Sequence, residues 1–375
     1  MNKFIQVAVA ISALALNGVA LSDPNQWKEI GNYPKAAVYI DIKELPFNKV
    51  LLFGGGQWDS SGCNISYNNS VQYDMNTKKL LASKSMAVAR SYFSSISLDD
   101  GKVLTVGSGN GCTTSDDAKQ SEIYNPVTKK WTLGALSTDG FSISGVMRLN
   151  NGQILFAGGY WNHSQRAWAE LYDQRTSKFT TTGSMNISRM AFASGALIDG
   201  KAIVVGGSNA SWGNGTEFPG SAETYNPSTG TWSYIADMNI ARHSMSGVTL
   251  SDGRFLVVGG RIATGVTDTA EIYDPKTDQW TLVAGTLNKA RMDHKAVLLL
   301  NGDVLIVGGA DKDGVAIAET EIFSPATESF KLAGNLNKPR QLFKALRTRN
   351  GEVIIAGGRN GSNYVSSIEV FSPAY

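Results

Sequence analysis

A short, mostly apolar run ending on glycine recurs seven times, six of them with a glycine pair and once with Gly107-Ser108, and no other feature constrains the fold as strongly. Phe255-Leu256-Val257-Val258-Gly259-Gly260 is one copy. Val50 to Gly55, Val103 to Ser108, Ile154 to Gly159, Ile203 to Gly207, Val304 to Gly309 and Val353 to Gly358 are the others. Their first glycines, Gly54, Gly107, Gly158, Gly206, Gly259, Gly308 and Gly357, lie 48 to 53 residues apart. A period of this size marks an array of one supersecondary unit. A single copy would read as a phosphate loop, whereas seven copies read as scaffold.

The unit beginning at Arg242 shows the grammar. Arg242 to Leu250 reads as a small and apolar run, strand a, and Ser251-Asp252-Gly253-Arg254 is a tight turn. Phe255 to Val258 has no polar face, so strand b is buried on both sides. A variable loop leads to the alternating strand c, Thr269 to Asp274, and Pro275-Lys276-Thr277-Asp278 turns into strand d at Gln279-Trp280-Thr281-Leu282. Strand c ends on Tyr73, Tyr124, Tyr172, Tyr225, Tyr273, Phe323 and Phe371; strand d carries Leu80, Trp131, Phe179, Trp232, Trp280 and Phe330. Four short strands per unit leave no room for helices. Sheets this small bury both faces only by packing radially around an axis, which predicts an all-β, seven-bladed propeller of four-stranded antiparallel blades. The seventh unit stops one strand short, while Gln26-Trp27-Lys28-Glu29-Ile30 resembles Gln279-Trp280-Thr281-Leu282. The strand around Trp27 is therefore expected to complete blade 7 and leave no open edge.

The glycine pair after four apolar residues, the Tyr-Asp-Pro element and the tryptophan seven positions on (Gly259-Gly260, Tyr273-Asp274-Pro275, Trp280) resemble the kelch repeat. The match covers essentially all of residues 21–375, read as one domain, and is similar to the propeller of galactose oxidase relatives. A WD-type propeller fits less well, because Trp58-Asp59 is not repeated.

Charged residues make up 18% of the chain with a net charge of +2, which argues against a nucleic-acid partner. Lys3, the apolar run Phe4 to Leu16 and the small residues before Ala20 read as a secretory signal over residues 1–20, cleaved near Ala20. That run is too short to span a bilayer. The expectation is an exported protein, periplasmic or extracellular, with no membrane span in the mature chain, and a monomer. Cys63 and Cys112, the only cysteines, follow the glycine motifs of adjacent repeats, so an exported chain is expected to join them as a disulfide.

Strand grammar puts the tight a–b and c–d turns on one face and the variable b–c and d–a connections on the other, where binding residues are expected. Two features stand out there. Arg90, Arg189, Arg242, Arg291 and Arg340 each lie eleven residues before a turn glycine; the same count gives Phe141 in blade 3, and Ala37 stands near it in blade 1. Such arginines would ring the channel mouth and clamp an anion. The kelch resemblance implies the same, since arginines of this kind take part in binding acidic peptides. The alternative is that each binds only backbone carbonyls. The second feature is aromatic: Trp58 and Tyr67, Tyr160, Trp161 and Trp168, then Trp212 and Phe218, suited to a glycan or a protein segment. Blades 5 to 7 carry a more charged set, Arg261, Asp311, Lys312, Asp313 and Arg359.

The reading is thus a binding propeller for a protein segment or glycan, favouring an acidic group, with no cofactor or metal expected. Galactose-oxidase-type copper chemistry needs converging histidines, tyrosines and a modified cysteine. Here His163, His243 and His294 lack ligand spacing, and His294 falls where other repeats have Phe93, Phe192, Met245 and Phe343, a core position. No hydrolase, P-loop or zinc motif is present. The alternative is a sugar-modifying enzyme of mutarotase or epimerase type, resembling the bacterial sialic-acid epimerase in fold and export, with His243 and Glu217 as candidate proton-transfer groups.

Overall fold

The computed structural model describes residues 25–107, 116–139, 145–161, 164–209 and 220–374. Seven four-stranded antiparallel sheets carry the chain. Blade 5 is typical: Ser246–Thr249, Phe255–Val258, Ala270–Asp274 and Gln279–Leu282, in that order from the axis outward. The seven a strands touch one another in a closed ring, which defines the axis. In every blade the b strand is buried between its neighbours; Phe255, Leu256, Val257 and Val258 are all 0% exposed. Each such aliphatic side chain is worth about 1.5–3 kcal/mol when buried. The c and d aromatics stack directly opposite each other across the pair, as Tyr273 and Trp280 do at 5.2 Å and Tyr225 and Trp232 at 5.3 Å.

Closure follows the sequence. Trp27–Asn32 pairs antiparallel with Ser367–Phe371, with Trp27 opposite Phe371, and becomes the outer strand of blade 7 beside Val353–Ala356 and Lys344–Arg347. Trp27 and Phe371 stack at 5.2 Å, repeating the c–d pair of the other blades with a residue from each end of the described chain. The proposed signal segment, residues 1–20, lies outside the described residues.

The glycine pair explains itself in this setting. Gly259 has φ 61° and Gly260 φ 102°. A Cβ on Gly259 would sit 2.5 Å from the Arg291 carbonyl oxygen, and one on Gly260 2.7 Å from that of His243. Only glycine tolerates both the dihedral and the approach. The approach serves a bond: the second glycine's N–H donates to the next blade's carbonyl, Gly207 to Arg242 at 3.0 Å and Gly260 to Arg291 at 2.8 Å. Gly358 donates to Ala37 at 2.8 Å, so the latch also joins blade 7 to blade 1.

Candidate functional site

The repeated arginines do not reach the channel mouth. Arg90, Arg189, Arg242, Arg291 and Arg340 are all 0% exposed. Each turns into its own blade, where Nη1 donates to the carbonyl of the first glycine: Gly107 at 2.7 Å, Gly206 at 2.9 Å, Gly259 at 2.9 Å, Gly308 at 3.0 Å and Gly357 at 2.9 Å. Nη2 pairs with a strand-c glutamate, Glu122 at 3.2 Å, Glu223 at 2.7 Å, Glu271 at 2.8 Å and Glu321 at 2.6 Å, and Arg340 pairs with Glu369. The glutamates in turn accept from the d–a connections; Glu271 takes the N–H of Asn239 at 2.7 Å and of Ile240 at 3.1 Å. Burial lowers each arginine's pKa and the glutamate opposes it. The anion-clamp expectation is corrected to framework: an ion taken this far from water is stable only when its partners are already in place.

At the mouth itself a different set converges, on the face expected for binding. Tyr39, Ala191, Ser244, Asp293 and Leu342, each two residues beyond the arginine position, adopt left-handed φ of 52° to 58°. A non-glycine residue held there costs about 1–2 kcal/mol. Bonds between blades compensate: Tyr39 N–H donates to Leu342 O at 3.1 Å, Asp293 N–H to Ser244 O at 2.9 Å and Ser244 N–H to Ala191 O at 2.9 Å. These residues form a backbone collar around the axis. Tyr92 shares the conformation and stacks on Tyr39 at 4.2 Å.

Outside the collar sits Trp58, at the end of the blade 1 hairpin Gly56–Trp58 with Asn64–Ser66. It packs edge-on against Tyr92 at 6.0 Å and beside Tyr364 at 6.3 Å, whose hydroxyl accepts from its backbone N–H at 2.7 Å. The Arg359 guanidinium lies 4.9 Å over the indole. Arg359 leads the matching blade 7 hairpin, Arg359–Asn360 with Asn363–Tyr364. Among the described residues its side chain has neither an ion pair nor a hydrogen-bond partner, and its Nε is buried and unpartnered. Asp293 faces this region: burial raises its carboxyl pKa, while Lys295, Ser244, Arg359 and Arg261 pull it down. Of the expected binding residues, the structure therefore brings Trp58 together with Arg359. It adds Tyr39, Tyr92, Tyr364 and Asp293, which the repeat pattern did not single out.

The other candidates are placed separately. Tyr160 is half-buried at the start of the blade 3 hairpin, whose strand Tyr160–Trp161 pairs with Ser164–Gln165. The backbone of Trp161 belongs to that hairpin, while its side chain, like Trp212, Phe218, Glu217 and His163, lies outside the described residues. Tyr67 carries Lys35 over its ring at 4.4 Å. His243 lies at the mouth, where burial and then the Arg261 charge lower its pKa to about 4, so it is a neutral and weak base at physiological pH. His294 is 0% exposed in the core, as its place in the repeat predicts. Among the described residues no three of His, Cys, Asp and Glu are grouped to hold a metal, and no helix is long and apolar enough to cross a membrane. Cys63 lies in the blade 1 hairpin, and Cys112 is outside the described residues.

Comparison with known proteins fits this architecture. The Kelch motif model matches residues 189–239 and 242–286, which are blades 4 and 5. Kelch-like protein 15 of Mus musculus is 26% identical over 279 residues, 69% of this chain and 45% of that protein. Kelch-like protein 25 of Xenopus tropicalis is 27% identical over 166 residues, 44% of this chain and 27% of that one. Kelch-like protein 35 of Mus musculus reaches 31% over 164 residues, 43% of this chain and 27% of that one. The chain thus spans less than half the length of these relatives. A solved structure described as a novel fungal alcohol oxidase of the AA5 family in complex with copper superposes with a TM-score of 0.72 at 17% identity, covering 92% of this chain and 75% of that one. That likeness is one of fold. With the repeated glycine latch, the seven blades and these matches together, the chain belongs to the kelch-repeat β-propellers.

Proposed function

We propose that this chain is an exported binding propeller that holds a protein segment at the channel mouth, pairing an acidic group of the partner with Arg359 beside Trp58. One observation carries the reading. Each of the five repeated arginines is ion-paired to a strand-c glutamate and bonded to a glycine carbonyl inside its blade, whereas Arg359 is held over an indole with its Nε unpartnered and no carboxylate paired to it among the described residues. A guanidinium kept in place by an aromatic face and left without an acceptor is pre-organised for a carboxylate. Kelch-like relatives of this chain are consistent with an interaction module.

A glycan is the second occupant to test, because a tryptophan beside tyrosines also suits a sugar ring. Immobilised protein should retain acidic peptides from a random library. Arg359→Ala should weaken that retention by at least about tenfold, as expected for a lost charge-assisted pair. Hits confined to a glycan array and lost in Trp58→Ala would replace the peptide reading. Retention unaffected by either variant would place the site elsewhere.

Export belongs to the same reading. Cleavage near Ala20 and a Cys63–Cys112 disulfide are its covalent marks, and no described cysteine is a free thiol. Intact mass before and after reduction, with thiol labelling, tests both. A single labelled thiol without reductant would contradict the disulfide.

A further inference from the structure

Four asparagine–glycine pairs lie among the described residues: Asn151-Gly152, Asn301-Gly302, Asn350-Gly351 and Asn360-Gly361. In such a pair the glycine nitrogen reaches the asparagine side-chain amide easily, because no Cβ screens it. What the fold does with that nitrogen and that amide separates the four.

Three pairs sit in a–b turns that use both groups. Asn151 Oδ1 accepts from Gln153 N–H at 3.0 Å, and its Nδ2 donates to Gln153 Oε1 at 2.8 Å. Asn301 Oδ1 accepts from Asp303 N–H at 3.1 Å, and its Nδ2 donates to Asp303 Oδ2 at 2.9 Å. Asn350 engages Glu352 in the same way, at 3.4 Å and 3.2 Å. The glycine nitrogens are occupied too: Gly152 donates to Leu149 O at 3.0 Å, Gly302 to Leu299 O at 3.2 Å and Gly351 to Thr348 O at 3.0 Å.

The fourth pair is built differently. Asn360 ends the first strand of the blade 7 hairpin, opposite Asn363, and Gly361-Ser362 is its two-residue loop. Gly361 has φ 58°, as the glycine-first hairpin turn requires, and a Cβ built on it would meet nothing within 4 Å. Asn360 and Gly361 are both exposed. Among the described residues the Asn360 side chain makes no hydrogen bond and the Gly361 N–H has no acceptor.

We infer that Asn360 is a site of spontaneous deamidation, the one described asparagine–glycine pair that the fold leaves free to react. The Gly361 nitrogen, on losing its proton to hydroxide, attacks Asn360 Cγ. The new C–N bond closes a succinimide, and the side-chain nitrogen leaves as ammonia. Water then opens either ring carbonyl, giving aspartate or isoaspartate; the net change is amide and water to carboxylate and ammonium. Aspartate sets a carboxylate next to Arg359 in the chain. Isoaspartate adds a methylene to the backbone inside the hairpin and disturbs the pairing of Arg359 with Tyr364. Those two residues grip Trp58, one over its ring and one at its N–H. Conversion therefore withdraws what the mouth offers an acidic partner, a consequence that rests on the binding reading above, whereas the conversion itself does not.

The test is peptide mapping by mass spectrometry of the full chain held at pH 6 and at pH 8.5, folded and in urea. In the folded protein Asn360 should convert at least about tenfold faster than Asn151, Asn301 and Asn350, whose hydrogen bonds must break first. The higher pH should speed it, because the attacking nitrogen must lose a proton. In urea the four rates should converge, since the dipeptide is the same. Asn360 converting no faster than the other three in the folded protein, or a lead that urea leaves unchanged, would overturn the inference. Aged parent protein should also lose its retention of acidic peptides, while aged Asn360→Gln keeps it. Conversion at Asn360 with retention unchanged would leave the chemistry standing and count against the Arg359 reading alone.

Discussion

Blade 5 and blade 1 meet the same requirement with different chemistry. In both, the carbonyl of the first motif glycine and a carbonyl four residues before the strand-c tyrosine point into the blade and need donors. Blade 5 supplies the Arg242 guanidinium, which binds Gly259 O at 2.9 Å and Thr269 O at 2.9 Å, and Glu271 balances the charge. Blade 1 has Ala37 at that position. The Tyr33 hydroxyl comes instead, 2.6 Å from Asn69 O and 3.1 Å from Gly54 O. A neutral donor needs no counter-ion, and the glutamate position holds Val71. Blade 3 is a third case: Glu170 stays, without an arginine among the described residues, and accepts from Ser137 Oγ at 2.6 Å, Thr138 N–H at 2.9 Å and Thr138 Oγ1 at 2.8 Å. In six of the seven blades arginine and glutamate thus behave as one unit, present together or replaced together. Blade 3, with half of it, is where a cost remains, since burial raises the Glu170 pKa.

This contrast breaks most visibly at Arg242. Arg242→Met leaves Glu271 charged and buried, and should cost about 3–5 kcal/mol in urea unfolding. Tyr33→Phe should cost less, about 1–3 kcal/mol, because two buried carbonyls lose a neutral donor and no charge is stranded. Glu170→Gln should lie within about 1 kcal/mol of the parent at neutral pH, and its pH dependence is the sharper readout. The native pKa of Glu170 is raised above the usual 4.5. Its contribution is therefore fully present below 4.5 and is lost as pH rises through the raised value. Measured melts should show Glu170→Gln gaining on the parent as pH increases from 4.5; parallel curves would remove blade 3 from the comparison. Smallest of all is Arg359→Ala, expected within about 0.5 kcal/mol, because among the described residues the side chain makes no hydrogen bond or ion pair and rests only on the Trp58 ring. A large loss of stability there would make Arg359 framework like its five relatives.

The sequence disclosed the architecture because every blade repeats it. Gly259-Gly260, Tyr273 and Trp280 report backbone needs that recur in each unit, and Trp27 was legible as a d strand without a blade. The arginines were misplaced for the same reason: a period shows that Arg242 recurs, not whether its side chain turns outward or inward. The clue lay in strand c, where Glu122, Glu223, Glu271, Glu321 and Glu369 accompany the arginines and Val71 accompanies Ala37. The mouth was less legible because its side chains do not recur, although the left-handed backbone of its collar does. Trp58, Tyr92, Tyr364 and Arg359 come from three blades, and only closure of the ring brings them together.

The most direct test of the account is the unfolding free energy of Arg242→Met/Glu271→Val set against Arg242→Met alone. If arginine and glutamate form one structural unit, removing the stranded carboxylate should return about 1–3 kcal/mol, and the double variant will be the more stable. A double variant that loses the sum of both single costs would contradict it.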